Sequence, residues 1–166
     1  VMIQELAQTP PPGNTDAEKE QSFAKQLALI VELSQRILQA NSDPKVNDFA
    51  LNFGAQALQQ LQQLGDASAT TRMTVFATAV AKNPNADVAR KGRLMLFDAS
   101  MAKQLSQEKL DAPVMLKAVE EILAQDGGDA AVLELTSAVC QMLGEKGHKD
   151  EAITGLRAVA AAYKDH

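Results

Sequence analysis

Between Arg72 and Ala99 the chain carries two helical runs separated by a proline break. Met73, Phe76, Ala77 and Val80 recur at i, i+3, i+4 and i+7, the spacing that gathers apolar side chains on one helix face. In Asn83-Pro84-Asn85, Pro84 lacks an N–H and turns Asn83 away from helical backbone, so the first run must stop there. Beyond the break Val88, Gly92, Met95, Leu96 and Ala99 form one stripe, and Leu94, Phe97, Met101 and Leu105 a second. Two stripes on one helix predict contact on two sides and a central place. Gly92 lies within a stripe, where glycine costs about 1 kcal/mol against alanine. Close approach of a neighbouring helix is the expected compensation.

The rest of the chain repeats this grammar. A helix starts at Thr15 or Asp16, either a good N-cap, with Glu18 and Glu20 in its first turns. Phe23, Leu27, Ile30, Val31, Ser34, Ile37 and Leu38 carry its buried face, and it ends near Asn41. Ser42-Asp43-Pro44 restarts the chain, with Asp43 as N-cap and Pro44 at the first helical position. Val46, Phe49, Ala50, Phe53, Ala57, Leu61 and Leu64 line the next helix, which stops at Gly65. Gln56, Gln59, Gln60, Gln62 and Gln63 fall mostly on its solvated side. After Asp66 comes the helix that carries Phe76. Asp111-Ala112-Pro113 opens another helix, with Met115, Ala118, Val119, Ile122 and Leu123 inward, and Gly127-Gly128 closes it. Asp129 caps a helix burying Val132, Leu135, Val139, Met142 and Leu143, with Gly144 and Gly147 at its end. The last helix, about Asp150 to Lys164, is expected to point Ile153, Leu156, Val159, Ala160 and Tyr163 inward.

The fold class that follows is all-α, with about seven antiparallel helices. Aromatics are only 4% of residues, and β-branched runs and Asn-Gly hairpin signals are missing. Helix pairs begin near 44, 85 and 129, a period of about 40 to 44 residues. Short connections make neighbours antiparallel, so the expected architecture is stacked helical hairpins, as an α-solenoid or irregular bundle. Residues 1–14 are read as a flexible Pro-rich segment, although VMIQELAQ has the make-up of one or two helical turns; Pro10-Pro11-Pro12 favours extended backbone. Residues 15–166 are read as a single all-α, helical-repeat-like domain.

Composition bounds the function classes. A net charge of −5 argues against non-specific nucleic-acid binding, which needs a basic footprint. No apolar run approaches the roughly 18 residues of a membrane span. Cys140 is the only cysteine, which excludes an intrachain disulfide and any C-x-x-C motif. The chain starts at Val1 rather than Met, as a mature or cut product with a removed signal peptide would.

Motifs that could carry chemistry are sparse. Asn83-Pro84-Asn85-Ala86-Asp87 has the oxygen spacing of a calcium loop, but Val88 stands where glycine and Leu94 where glutamate are required, so it reads as a helix break. Asp126-Gly127-Gly128-Asp129 lacks further metal ligands and the Gly-Lys-Ser/Thr of a phosphate loop, and reads as a stop followed by a cap. His148 and His166 have no acid or cysteine at ligand or triad spacing. Cys140 adjoins a buried stripe and reads as a small core hydrophobe. The expectation is therefore no catalytic, metal or cofactor-binding residue, and an enzyme is the disfavoured class.

Two surfaces stand out as partner-docking candidates. Arg90, Lys91 and Arg93, with Lys82 nearby, form a basic spot suited to an acidic partner. Gly155, Ala158, Ala161 and Ala162 lie off the expected stripe of the last helix, and small residues there allow another helix to pack closely. That face predicts a native chain continuing past His166.

The chain resembles two known patterns. Phe76, Ala79, Pro84 and Gly92, and again Gly147, Ala152 and Leu156, match positions of tetratricopeptide-like helix pairs. The period is longer than that repeat's roughly 34 residues, and its Trp, Leu-Gly and Tyr set is missing. Leu64-Gly65-Asp66-Ala67, Ala81-Lys82-Asn83-Pro84 followed by Ala89-x-x-Gly92-Arg93, and Gly147-His148-x-Asp150-x-Ala152 leading to Ala161-x-Tyr163-Lys164-Asp165 carry the second. They are similar to the helical region before the thioredoxin domain of exported, planctomycete-type TlpA-like thiol–disulfide proteins. That resemblance implies a non-catalytic accessory domain, an extracytoplasmic location, and a partner that is either its own downstream domain or another protein. Redox work would belong to a downstream Trp-Cys-x-x-Cys site. A stand-alone tetratricopeptide-like adaptor that binds a peptide is the alternative.

Overall fold

In a computed structural model the described residues are 2–40 and 43–165. The end of a helix near Asn41, its restart at Ser42, and the terminal residues Val1 and His166 lie outside the described residues. The chain is all-helical, with eight helices and no strand among the described residues. They are α1 (Met2–Gln8), α2 (Asp16–Gln39), α3 (Pro44–Gln63), α4 (Ala69–Ala81), α5 (Ala86–Leu105), α6 (Ala112–Asp126), α7 (Ala130–Glu145) and α8 (Lys149–Ala162).

The helix beyond the expected seven is α1. It packs on α2, and Ile3 is only 2% exposed. The Gln26 amide on α2 donates to Leu6 O at 2.6 Å and Thr9 O at 2.9 Å, so it satisfies carbonyls that the end of α1 leaves open. The expected flexible segment 1–14 therefore contains a docked helix, because a buried isoleucine and two side-chain hydrogen bonds tie it down.

Contacts divide the chain into two compact units, Val1–Arg93 and Leu94–His166. The division falls inside α5. That helix is not central to one core. Val88, Ala89 and Gly92 are buried in its first part, while Phe97 and Met101 belong to the core of the second unit. The two stripes read from the sequence overlap along the helix, since Met95, Leu96 and Ala99 of the first are half-buried in the same length as Leu94, Phe97 and Met101 of the second, and Leu105 at its end is 51% exposed rather than buried.

In the first unit α2 packs on α3 and α4, and α3 on α4. Thr15 caps α2 in a full capping box with Glu18, and Asp43 caps α3 with Pro44 in its first turn. Leu27, Ile30, Leu58, Leu61, Phe76 and Val80 are buried, each contributing about 1.5–3 kcal/mol. Val46, expected inward, lies in the first turn of α3 and stays half-exposed. A Cβ at Gly92 would come within 2.7 Å of Ala81 Cα, so α5 meets the end of α4 backbone to backbone. The close approach expected at this glycine is present.

In the second unit α6 packs on α7 and α8, and α7 on α8. Met115, Val119, Val132, Cys140 and Leu143 are fully buried there. Asp111 accepts from Val114 N–H at 3.2 Å, and Asp129 from Ala131 N–H at 2.9 Å, so both predicted N-caps form. The Tyr163 hydroxyl, just past α8, donates to Asp129 O at the start of α7.

Candidate partner-docking groove

On α2 the buried residues Leu27, Ile30, Val31, Ser34 and Leu38 fix the inward face. Leu29 falls out of that phase and is 42% exposed. On α4 Phe76, Ala77 and Val80 point inward, which leaves Val75 56% exposed. These two off-phase apolar residues line one groove of about 420 Å³ between α2 and α4.

Lys25, Glu32 and Arg72 line it too. Glu32 is neutralised by Arg36 at 2.5 Å. Arg72 Nε donates to Ser68 Oγ at 2.9 Å, and that hydroxyl donates to Asp66 at 2.6 Å. The Ser68 hydroxyl and backbone N–H hold the Asp66 carboxyl below the usual aspartate range. Lys25 is exposed and has no ion pair among the described residues. The groove thus pairs an apolar floor with cationic walls, which suits a segment presenting apolar anchors beside carboxylates.

The basic spot expected from the sequence lies in the first half of α5. Arg90 pairs with Asp87 at 2.9 Å, and Lys91 with Asp48 at 2.5 Å. Arg93 is half-buried and Lys82 exposed. Arg90 and Lys91 meet the chain's own carboxylates, so the positive field there is weaker than the sequence implies.

The buried face of α8 is not the one its large apolar residues predict. Ala152, Gly155 and Val159 are buried, whereas Ile153 and Leu156 are 48% and 47% exposed and Ala160 is exposed. Gly155 meets α7 and α6: a Cβ there would lie 2.5 Å from Cys140 Sγ and 3.4 Å from Leu116 Cδ1. Ala158 and Ala162 also pack on the core of the second unit, and Ala162 lies beside Gly127 at the end of α6. Small residues let α8 approach its own neighbours, so Gly155, Ala158 and Ala162 do not form an outward face.

Other singled-out residues have structural partners. Asn83 Oδ1 accepts from Asn85 N–H, and Asn85 Oδ1 accepts from the N–H groups of Asp87 and Val88. The would-be calcium loop therefore spends two side-chain oxygens on backbone, with Asn85 capping α5. Asp129 caps α7, and His148 sits half-buried at the start of α8. Cys140 is fully buried, and burial pushes its thiol up. Glu120 and Glu121 are exposed, as are Gln56, Gln59, Gln62 and Gln63, while Gln60 is half-buried. Among the described residues no three or more His, Cys, Asp or Glu side chains come together, and no helix is long and apolar enough to cross a membrane.

No protein-family model, curated protein or solved structure matches the chain. The groove residues Lys25, Leu29, Arg72 and Val75 were not among the expected site residues. Their signal in the sequence is phase: Leu29 and Val75 are large apolar residues one step off a buried stripe, each with a cation three or four positions before it.

Proposed function

We propose that this chain is a non-catalytic helical interaction domain that seats a segment of a protein partner between α2 and α4. The observation that carries the reading is the groove with Leu29 and Val75 exposed and Lys25 and Arg72 beside them. A helical segment with one or two apolar anchors would cover both side chains, and its acidic flank would meet the two cations. Electrostatic attraction would speed encounter and fix register more than it would add affinity.

A stacked-hairpin, tetratricopeptide-like arrangement fits this role. Three residues join α6 to α7 and three join α7 to α8, and each pair packs together, which favours antiparallel neighbours. The local matches to the helical region of TlpA-like proteins favour an accessory domain of an exported thiol–disulfide oxidoreductase, whose own downstream domain or another protein fills the groove. A stand-alone adaptor is the alternative, and the same groove serves it.

A photo-crosslinking residue at position 29, with one at exposed position 105 as control, tests the docking. One defined partner should couple to position 29 and be lost with Val75→Asp. Equal coupling at both positions, or none in the native source, overturns the reading. Sequencing the reading frame beyond residue 166 separates the two forms: a Trp-Cys-x-x-Cys domain supports the accessory role, and a stop supports the adaptor.

A further inference from the structure

The outer side of α8 carries an apolar stripe. Ile153, Leu156 and Ala160 recur at i, i+3 and i+7 and all three are exposed, while Ala152, Gly155 and Val159 are buried on the opposite side. The helix has 14 residues, and the stripe follows two of its turns. Uncovered Ile and Leu side chains on adjacent turns of one short helix are a surface that association would remove from water.

Two opposite charges border this stripe. Asp150 lies three residues before Ile153 and Arg157 four residues after it, so both are its neighbours on the helix surface. Both are exposed, and neither has an ion pair among the described residues. They stand two turns apart, about 10.5 Å along the helix, with the negative charge toward its start and the positive charge toward its end. Lys149, also exposed, continues the line of the stripe at the start of the helix.

A surface with one charge of each sign on either side of an apolar centre is complementary to itself after a half-turn. We infer that α8 pairs with α8 of a second copy of this chain, antiparallel, about a two-fold axis that crosses the helix level with residues 153–156. Ile153 then faces Leu156 of the second copy and Asp150 reaches Arg157 of the second copy, and each contact is made twice. Lys149 falls opposite Ala160 of the second copy, where its methylene stem covers the small side chain and its ammonium stays in water. A partner of one uniform charge would set either Asp150 or Arg157 against its own sign. Two helices this short cover less than a standard interface of about 1,600 Å², so the dimer is expected to be weak, with a Kd of about 10–100 μM. The pairing uses α8 and does not depend on the α2–α4 groove.

Sedimentation velocity of the full chain, from about 1 μM to about 1 mM, should show monomer passing to dimer and no larger species. Leu156→Asp should weaken the dimer at least about tenfold while circular dichroism stays that of the parent. Ile153→Asp carries the same arm should that variant fail to fold. Val75→Asp, in the α2–α4 groove, should leave the dimer unchanged. Asp150→Arg and Arg157→Asp should each dimerise more weakly than the parent, because like charges then meet at the axis. Mixed in equal amounts, these two variants should recover a dimer at least as tight as the parent's, because opposite charges meet at both places. A chain still monomeric at about 1 mM, assembly beyond the dimer, a dimer unchanged in folded Leu156→Asp or lost in Val75→Asp, or a mixture no tighter than its separate components each overturn the inference.

Discussion

The side-chain amide of Asn83 donates to the carbonyl oxygen of Leu38 at 2.6 Å, across 45 residues of sequence. Leu38 lies in the last turn of α2, where carbonyls lack the i+4 N–H of a continuing helix. The other end of the same amide accepts from Asn85 N–H at 2.8 Å. One buried side chain thus joins the end of α2 to the turn that opens α5. Asn83→Ala should lower unfolding free energy by about 1–3 kcal/mol in urea denaturation. Asn83→Asp should cost at least as much at neutral pH, because a carboxylate cannot donate to Leu38 O. Gln59→Ala, on an exposed face of α3, should stay within about 0.5 kcal/mol. Equal losses for Asn83→Ala and Gln59→Ala would show that the tie adds nothing.

Gly155 and Cys140 make a second pair whose coupling is measurable. Glycine to alanine inside a helix ordinarily stabilises by about 1 kcal/mol. Here the added Cβ would meet Cys140 Sγ at 2.5 Å, so the sign reverses. Gly155→Ala should destabilise by about 1–3 kcal/mol through overpacking. Cys140→Ala removes the sulfur, and Gly155→Ala made on that background should be far milder or stabilising. A double-mutant cycle with no coupling beyond about 0.5 kcal/mol would contradict the packing of α8 on α7.

Local signals in this chain were legible. The caps at Thr15, Asp43, Asp111 and Asp129 form where side-chain oxygen and helix start predict them. The stripes through Leu27, Ile30 and Phe76 are buried as read, because large apolar residues leave one choice of face. On α8 two faces share one period: Ala152, Gly155 and Val159, and Ile153, Leu156 and Ala160. Residue size favours the second face, but the surface of α7 and α6 selects the first, and that surface is a tertiary fact. The division inside α5 was hidden similarly, since it falls between Gly92 and Met95, within the first stripe, where the apolar pattern runs on without a break. The groove escaped notice because Leu29 and Val75 are each unremarkable alone and meet only through the packing of α2 on α4.

Cys140 should behave as a core residue and not as a reactive thiol. Burial raises its pKa, which keeps the thiolate fraction low, and the sulfur is covered by α8 at Gly155. A soluble disulfide reagent at mildly alkaline pH should modify the native chain roughly a hundredfold more slowly than the denatured chain. Modification should accelerate in Asn83→Ala only if the two units unfold together, so the same assay reports their cooperativity. Rapid labelling of the folded protein would contradict the burial of this thiol.

The capping box at the start of α2 predicts a pH dependence of defined sign. Glu18 Oε2 accepts from Asn14 N–H at 2.8 Å and Thr15 N–H at 3.1 Å, while Thr15 Oγ1 accepts from Glu18 N–H at 3.2 Å. The two backbone donors hold the Glu18 carboxyl below the usual glutamate range. A carboxyl depressed in the folded state contributes stability above its unfolded value, about 4.3, and loses it as the pH falls through the lower folded value. Glu18→Gln keeps an oxygen acceptor but has no proton to gain in this range. Parent and Glu18→Gln are compared by urea unfolding from about pH 7 down to about pH 3. The parent's advantage should be constant at the upper end and shrink below about pH 4.3. Thr15→Ala removes the hydroxyl half of the box and should cost about 1 kcal/mol without needing a change of pH. A parent advantage that grows on acidification would reverse the sign and remove the charged capping box as its cause.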